Sequence, residues 1–520
     1  MANINFYRYE GEWNEDHLFN GKGELIYNNR DIYEGDFMNS KKNGKGLYKY
    51  NNGEIYEGTF KDDMKSGFGV YKYNDGSIYE GNWVRDKKEG DGILSFKNNS
   101  RFEGEFKDGL YHGRGVFYFS DGKVYKGMWD TNFMEGNGKI VFPQGHTLEA
   151  VFSKGTVKGK AVIKYNNNDV FEGYVKNGKE YGYGTYTYSN SDVYEGNWVN
   201  GMKHGEGVYT FANQDVFEGS WVNNQRNGFG VINYSNKDKF KGNFKDSKRE
   251  GEGTYITAKG IKLIADFVDD KMNEQKVKIY YPDSSFYEGQ VKNMKREGKG
   301  KLTANNLIFN GIWKSDNMHK GILEIVDRFL YEGEFEFNEI NGNGKMMYFN
   351  GDVYTGDFLN NKKHGIGLLQ FKNGNTYSGD FNNDKIQGSG TFTFETGEVY
   401  QGEFFNNCLE GKGRFVNQDG DVYDGEWHND LREGYGVYKY VNGDEYKGQW
   451  AQDKKNGYGE YKYYNNDIYK GNFINNMKNG KGSYFFANGT KIEAIFKNDD
   501  CIEEIERAEV EEENEDTLRR

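Results

Sequence analysis

Glycine pairs of the form G-x-G, such as Gly205 and Gly207, are the commonest feature of this chain that could do chemistry. Glycine-rich loops can cradle phosphate groups, but the phosphate-binding pattern G-x-x-x-x-G-K-[ST] does not occur. The G-x-G pair instead recurs 18 times. A feature at that frequency indicates a property of the fold, so the sequence predicts no nucleotide or other cofactor.

Histidine and cysteine give no better candidate for catalysis. Three of the seven histidines, His112, His204 and His364, directly precede a G-x-G pair, one in each hairpin and far apart in sequence. We expect them to stabilise turns rather than share a metal ion. Cys408 has no histidine partner in a recognisable motif. The sequence therefore predicts no metal site, no catalytic residue and no enzyme.

Pairs of adjacent basic residues are the one charged pattern that rises above this background. Six such pairs each end two residues before a G-x-G. They are Lys41 and Lys42, Lys87 and Lys88, Lys248 and Arg249, Lys295 and Arg296, Lys362 and Lys363, and Lys454 and Lys455. If every pair occupies the same hairpin loop, two strands of about 4.8 Å each would space neighbouring pairs roughly 10 Å apart along one rim.

Two interpretations of this rim are open. Lysine is common in solvated loops, and acids such as Asp86 and Glu89 dilute the charge. The alternative is an anionic-ligand rim that contacts acidic lipid headgroups or acidic protein tails.

The elements that position these residues follow from a repeat of 23 residues on average. Taking the first aromatic residue as position 0, there are 22 copies between residues 9 and 492. The zero positions are Tyr9, Tyr33, Tyr56, Tyr79, Phe102, Tyr125, Leu148, Phe171, Tyr194, Phe217, Phe240, Leu263, Tyr287, Phe309, Tyr331, Tyr354, Tyr377, Tyr400, Tyr423, Tyr446, Tyr469 and Ile492. Such self-similarity is typical of repeat architectures.

Within a copy, each position has its own residue type. Position +2 is Gly in 19 copies and Ala in three, and position +9 is Lys or Arg in 11. Position +4 is aromatic in 20 copies and contains every tryptophan. We therefore expect a structural core at Trp13, Trp83, Trp129, Trp198, Trp221, Trp313, Trp427 and Trp450.

The alternation at positions 0, +2 and +4 predicts one half-exposed strand, and aromatic residues at +15 and +17 predict a second. Turn signals such as "NNG" at 51 to 53 separate them. The sequence thus predicts an all-β fold, an elongated single-layer antiparallel ribbon of tandem β-hairpins. Aromatic rings should cover the strand glycines. Whether the two aromatic sets share a face is left open.

The pattern Y-E-G-x-W/F, a short loop and then H/N-G-x-G resembles the MORN repeat. Copies beginning at Leu148, Leu263 and Ile492 depart from it, and the copy at Phe309 lacks the G-x-G. The expected organisation is a lead-in at 1–8, a repeat array at 9–498 that is irregular around 263–331, and an acidic tail at 499–520. Residues 500 to about 513 are predicted to form a short helix, with a solvated tail as the alternative.

The composition of the chain disfavours several classes of function. The formal net charge is −13, and the tail contributes 11 acids against three arginines, so nucleic-acid binding is disfavoured. Two cysteines in 520 residues and no signal-like start indicate an intracellular, reduced chain. No apolar run approaches the roughly 20 residues that a membrane helix needs.

Resemblance to the MORN repeat implies a scaffold of cytoskeletal or membrane-apposed structures, such as cilia and their axonemes, basal bodies or the cell cortex. Its expected partners are cytoskeletal or axonemal proteins, with anionic lipid and self-association as further expectations, and its expected location is cytoplasmic. In other relatives the repeats accompany an enzyme. The alternative function is therefore a phosphoinositide-binding tether or a regulatory subunit of a lipid-signalling enzyme.

Overall fold

A computed structural model of the protein describes residues 6–508, and these form antiparallel β-strands joined by turns, with no helix among them. Contacts between residues divide the chain into two units. The first comprises residues 1–258 with 266–272, and the second comprises 259–265 with 273–520. The all-β prediction of tandem hairpins is confirmed.

In the first unit each strand from β2 to β21 pairs with the strands before and after it in sequence. The strands are β1 Phe6–Trp13, β2 Phe19–Tyr27, β3 Ile32–Met38, β4 Lys41–Lys49, β5 Ile55–Lys61, β6 Met64–Lys72, β7 Ile78–Val84, β8 Lys87–Ser95, β9 Arg101–Lys107, β10 Leu110–Tyr118, β11 Val124–Asp130, β12 Phe133–Val141, β13 Thr147–Ser153, β14 Thr156–Lys164, β15 Val170–Lys176, β16 Lys179–Thr187, β17 Val193–Val199, β18 Met202–Thr210, β19 Val216–Val222, β20 Gln225–Asn233, β21 Lys239–Lys245 and β22 Lys248–Ile256.

The copy that begins at Leu263 is the irregular one. Its first strand, β23 Lys262–Val268, spans the division between the units, and β24 has only the two residues Lys271–Met272. The following β25 Val277–Tyr280 has four residues.

The second unit continues with regular hairpins, including the copies at Tyr287 and Phe309. Its strands are β26 Phe286–Lys292, β27 Lys295–Ala304, β28 Leu307–Lys314, β29 Asn317–Ile325, β30 Phe329–Glu336, β31 Glu339–Tyr348, β32 Val353–Leu359, β33 Lys362–Gln370, β34 Thr376–Asn382, β35 Lys385–Thr393, β36 Val399–Phe405, β37 Cys408–Val416, β38 Val422–His428, β39 Leu431–Lys439, β40 Glu445–Ala451, β41 Lys454–Lys462, β42 Ile468–Ile474, β43 Met477–Phe485, β44 Lys491–Lys497 and β45 Asp500–Ala508.

The helix predicted from residue 500 is wrong as far as the structure describes the chain. Residues 500–508 form β45, which pairs antiparallel with β44. Cys501, Ile505 and Ala508 have the spacing of an apolar helical stripe, but this stripe did not outweigh pairing with β44, although that ladder has two register shifts. Residues 509–513 of that prediction lie outside the described residues.

Strand register places both aromatic sets on one face of the sheet. Tyr377 at position 0 lies opposite Phe392 at +15, and Phe392 in turn lies opposite Tyr400, the next position 0. Directly opposed residues of antiparallel strands point to the same side. We call this the aromatic face, with positions 0, +2, +4 and +15, and we call the other the open face, with positions +1, +3, +12 and +14.

Candidate functional site

Position-0 side chains are sealed by aromatic rings of two successive copies. Tyr377 is 0% exposed. Its ring lies 5.1 Å from Phe381 of its own copy and 5.0 Å from Phe404 of the next, in edge-to-face geometry with both. Aromatic pairs favour this geometry because the positive edge of one ring meets the negative face of the other. Each +4 ring therefore packs on the position-0 rings of its own copy and of the preceding copy.

The two glycines of G-x-G have different roles. In "GSG" at 388 to 390, Gly388 has a φ of +79° at a β-bulge, a backbone conformation that costs glycine little. Gly390 lies under the ring of Tyr377, where a Cβ would come 2.4 Å from the tyrosine oxygen. The Tyr377 hydroxyl then donates a hydrogen bond of 3.0 Å to the Asp380 carbonyl. Aromatic rings thus cover the strand glycines, as the sequence predicts.

Copies without a ring at position 0 support this explanation. The three copies with Ala in place of the +2 glycine have aliphatic residues at position 0, namely Leu148, Leu263 and Ile492. In the first of them Ala161 also replaces the second glycine of G-x-G and is 2% exposed. A methyl group fits where no ring needs the space.

Seven of the eight predicted core tryptophans are buried, with exposures from 2% to 7%. They are Trp83, Trp129, Trp198, Trp221, Trp313, Trp427 and Trp450. Six of these indoles donate to the carbonyl of the second G-x-G glycine in the preceding copy, as Trp427 does to Gly413 at 3.1 Å. Trp13, in the first copy, is 52% exposed, so its placement in the core was wrong. Its ring contacts Tyr9 and Phe19, whereas the later tryptophans also pack on the position-0 ring of a preceding copy.

The two members of each basic pair have different surroundings, so the twelve side chains do not line one rim. The first members project outward. Lys41, Lys87 and Lys248 form ion pairs with Asp62, Asp108 and Asp269 at 3.6, 2.7 and 3.1 Å. The remaining first members, Lys295, Lys362 and Lys454, are exposed.

The second members, at position +9, point into the aromatic face. The Nζ atom of Lys455 lies 4.7 Å from the centroid of Tyr461 and 5.4 Å from that of Tyr446. It donates to the Tyr440 hydroxyl at 3.1 Å. All 11 basic residues at +9 lie within 6 Å of aromatic rings: Lys42, Lys65, Lys88, Lys203, Arg226, Arg249, Arg296, Lys363, Arg432, Lys455 and Lys478.

Burial in these aromatic cages changes the titration of their lysines. Removal from water disfavours the charged ammonium and lowers the pKa of Lys203 and of Lys455 to about 8. The same burial raises the pKa of the position-0 tyrosines, Tyr446 among them. The +9 cations therefore belong to the packed layer, and only part of each side chain is left for a surface ligand.

Sequence reasoning missed this inward position, although a signal for it existed. The copies without a cation at +9 mostly have apolar or aromatic residues there, at Leu18, Tyr111, Met134, Val157, Met272, Met318, Ile340, Ile386 and Leu409. A solvated loop position would not alternate between lysine and isoleucine. Lysine and arginine substitute because their alkyl stems pack like aliphatic side chains.

The open face exposes large apolar residues at position +12, the middle residue of G-x-G. These residues are Phe68, Tyr183, Phe229, Ile366, Tyr435 and Tyr458, and they are 48% to 69% exposed. Position +1 on the same face is acidic in 13 of 22 copies. The Tyr183 hydroxyl donates to Glu195 at 2.8 Å, which ties the two rows together.

Acids and apolar residues also line a hollow on this face of the first unit. Its volume is about 1070 Å³, and Glu34, Glu57, Leu47, Phe68 and Val70 are among its lining residues. Elsewhere, the residues from 6 to 508 contain no group of three or more His, Cys, Asp or Glu side chains that could hold a metal ion. That stretch also contains no helix long and apolar enough to cross a membrane.

A family model described as MORN repeat matches 18 segments of the chain. The segments are 9–32, 33–55, 56–78, 79–101, 102–124, 125–147, 171–193, 194–216, 217–239, 240–262, 287–306, 331–353, 354–376, 377–399, 400–422, 423–445, 446–468 and 469–491. The count of 22 copies was thus too high by this measure. The four unmatched copies are those at Leu148, Leu263, Phe309 and Ile492, which depart from the motif.

Comparison with curated proteins gives no match. Among solved structures, the chain is similar to the TCP domain of Drosophila melanogaster SAS-4, with 12% identity, a TM-score of 0.22, and coverage of 32% of this chain and 90% of that one. The TCP10 domain of Danio rerio CPAP matches with 10% identity, a TM-score of 0.19, and coverage of 50% and 99%. A Staphylococcus aureus virginiamycin B lyase matches with 10% identity, a TM-score of 0.11, and coverage of 68% and 99%. These similarities are too weak to bear on function.

Proposed function

Because the chain belongs to the MORN-repeat family, we propose that it is a protein-binding scaffold within a cytoskeletal or membrane-apposed assembly. A cilium, a basal body or the cell cortex would provide such an assembly, and the location would be cytoplasmic. The observation that supports this proposal is the open face, whose +12 position exposes an aromatic or aliphatic side chain in six copies. Exposed apolar groups in a polar frame are typical of protein interaction sites.

The first unit offers the more distinctive half of this surface. Ten copies begin between Tyr9 and Phe217. Position +1 is acidic in nine of them and is Lys126 in the tenth. From Tyr354 to Tyr469 in the second unit, the same position is acidic only at Asp424. We propose that the partner contacts the first unit and presents basic and apolar residues, since complementary charge favours encounter and suppresses wrong partners.

A phosphoinositide-binding tether remains the alternative function, and the contacts give it less support. The second residue of each basic pair is partly buried against aromatic rings, and three of the six first lysines form ion pairs with aspartates of the next copy. The surface charge available to a lipid headgroup is therefore smaller than the sequence indicates.

Retention on the detergent-extracted cytoskeleton tests the proposal. Tagged full-length chain would be expressed in the cell of origin as wild type and as the triple variant Phe68→Ser, Tyr183→Ser, Phe229→Ser. The matched control is Ile366→Ser, Tyr435→Ser, Tyr458→Ser, which removes residues of similar exposure from the second unit. Circular dichroism would establish that all three proteins fold.

We expect wild type and the control to remain with the cytoskeleton and to mark one structure by microscopy, and the first-unit variant to be released. Release of all three proteins by detergent would contradict a cytoskeletal scaffold and favour a lipid tether. Full retention of all three would contradict a role for the first unit's open face.

A further inference from the structure

One copy reverses the charge rule at position +9. In the copy that begins at Phe171, this position holds Glu180, which is 7% exposed. Eleven other copies place a cation at that position and none of the remaining ten places an acid there. Burial raises the pKa of the Glu180 carboxyl, because the charged form loses its hydration.

The rings around Glu180 are those of a lysine cage. Tyr165 and Tyr186 lie 5.5 Å apart, as Tyr440 and Tyr461 around Lys455 lie 5.9 Å apart. Trp198 completes the cage 5.6 Å from Tyr186. The Tyr165 hydroxyl is hydrogen-bonded to the Glu180 carboxylate, where the equivalent tyrosines elsewhere accept a hydrogen bond from a lysine.

This cage is open to solvent. A cavity of about 530 Å³ is lined by Tyr165, Glu180, Tyr186 and Trp198 together with Gly178 and Gly201. In many copies an Asp or Asn side chain accepts the backbone N–H of the +9 residue, and Asp86, which does so for Lys65, also lies 3.6 Å from the Lys65 ammonium. Gly201 occupies that position beside Glu180, as Gly109 does beside Lys88, and it has no side chain to cover the carboxylate.

The type of cage identifies which cation fits. All seven lysines at +9 have a tyrosine fifteen residues earlier, and for five of them its hydroxyl lies 3.0 to 3.3 Å from Nζ. Only two of the four arginines at +9 have a tyrosine fifteen residues earlier, because Phe211 and Asn417 occupy that place for the other two. Tyr165 precedes Glu180 by the same fifteen residues. The cavity therefore has the lysine form of the cage, with an acid where the lysine would be.

We propose that the cavity at Glu180 binds the side-chain ammonium of a lysine carried by another polypeptide. The rings supply the cation–π attraction that eleven copies already use, and the carboxylate supplies the neutralising charge. An ammonium with N–H groups is favoured over a quaternary one, because both Glu180 and Tyr165 can accept hydrogen bonds.

Three basic, titratable side chains at this cavity, His146, Lys179 and Lys203, affect an entering cation. His146 stacks on Phe142 with 4.2 Å between ring centroids, and burial lowers its pKa, which favours the neutral ring. Lys203 donates to Tyr188 at 3.0 Å, and its lowered pKa of about 8 reduces repulsion as pH rises above that value. Lys179, next to Glu180, is exposed.

Ligand-observed NMR with full-length protein tests the site, with n-butylammonium as the probe and tetramethylammonium as its competitor. The key variant is Glu180→Lys, which fills the cage with the chain's own cation as in seven other copies and is therefore expected to fold. Glu180→Gln keeps the shape without the charge. Glu172→Gln, an exposed acid on the open face of the same copy, is the matched control.

We expect wild type and Glu172→Gln to bind butylammonium with a Kd on the order of millimolar. Glu180→Lys should weaken it at least tenfold, and Glu180→Gln should weaken it severalfold. Equal binding by wild type and Glu180→Lys, or no binding by either, would overturn the proposal. Tighter binding of tetramethylammonium would overturn it too, because a quaternary headgroup would then be the ligand. The site lies on the aromatic face, so its failure would leave the open-face proposal intact.

Discussion

Tyr377 and Phe404 belong to successive copies of the repeat, and their rings meet edge to face with centroids 5.0 Å apart. The same relationship joins Tyr400 to Trp427 and Tyr423 to Trp450. Within each unit the described strands pair edge to edge with their sequence neighbours, and these rings provide the hydrophobic core. The stability of each hairpin therefore depends on the +4 ring of the next copy.

Removing one such ring should destabilise two copies at once. Phe404→Ala should lower the free energy of unfolding by about 3 to 5 kcal/mol, because Phe404 is 4% exposed. Phe405→Ala, whose side chain is 53% exposed, is the matched control and should change it by less than about 0.5 kcal/mol. Hydrogen exchange in β34 to β37 measures the effect locally, as repeat arrays need not unfold in one step. Equal effects of the two variants would refute a ring-based core.

The effects on stability of replacing a strand glycine and of replacing the ring that covers it should be non-additive. Gly390→Ala should be destabilising, because its Cβ would lie 2.4 Å from the Tyr377 oxygen. Adding Tyr377→Leu recreates the Leu148 and Ala161 arrangement and should recover part of the loss, giving a coupling energy of about 1 kcal/mol or more. Ser389→Ala, exposed between the two glycines, is the control. Strictly additive effects in chemical denaturation would speak against the proposed role of the glycine.

Burial of the Lys455 ammonium should make the free energy of unfolding rise with pH between the folded and unfolded pKa values of this lysine. Its folded pKa of about 8 lies below the unfolded value of about 10.4, so the unfolded state binds more protons between these values. Wild type should therefore gain up to about 2 kcal/mol relative to Lys455→Met between pH 7 and 9.5. Both proteins share the tyrosines, so their titration cancels in the comparison.

The same measurement on Lys454→Met, one residue away and exposed, controls for the general loss of a lysine. No change in the gap between wild type and Lys455→Met from pH 7 to 9.5 would show that the ammonium is not buried in solution.

Binding to anionic vesicles should be weak, because in each basic pair one residue is exposed and the other packs against aromatic rings. We expect the full-length chain to sediment equally with neutral and phosphoinositide-containing vesicles at 0.1 M salt, where the Debye length is about 10 Å. Salt-sensitive binding that is lost when Lys295, Lys362 and Lys454 are changed to Glu would contradict this expectation. It would also restore the lipid tether as the leading function.

The repeat and its strands could be predicted from the sequence because each position has a consistent residue type. The placement of Tyr377 and Phe392 on one face could not be predicted, because it depends on the number of residues in the turn between their strands. In most copies the turn between the first and second strands has two residues with positive φ, such as Asp62 and Asp63, and many of these turns contain no glycine. The inward direction of Lys455 escaped prediction because the basic pair was assigned to a hairpin loop, whereas β41 begins at Lys454 and pairs Lys455 with Trp450.

Division of the sheet into a sealed and an open face is the central claim, and hydroxyl-radical footprinting of the free and the cytoskeleton-bound chain tests it most directly. In the free protein, Tyr183, Phe68 and Phe229 at +12 should be modified readily, whereas the fully buried Tyr79 and Tyr194 should be protected. In the bound protein, the +12 residues of the first unit should become protected and the position-0 tyrosines should stay unchanged. Comparable modification of both sets in the free chain, or unchanged modification at +12 on binding, would contradict the account.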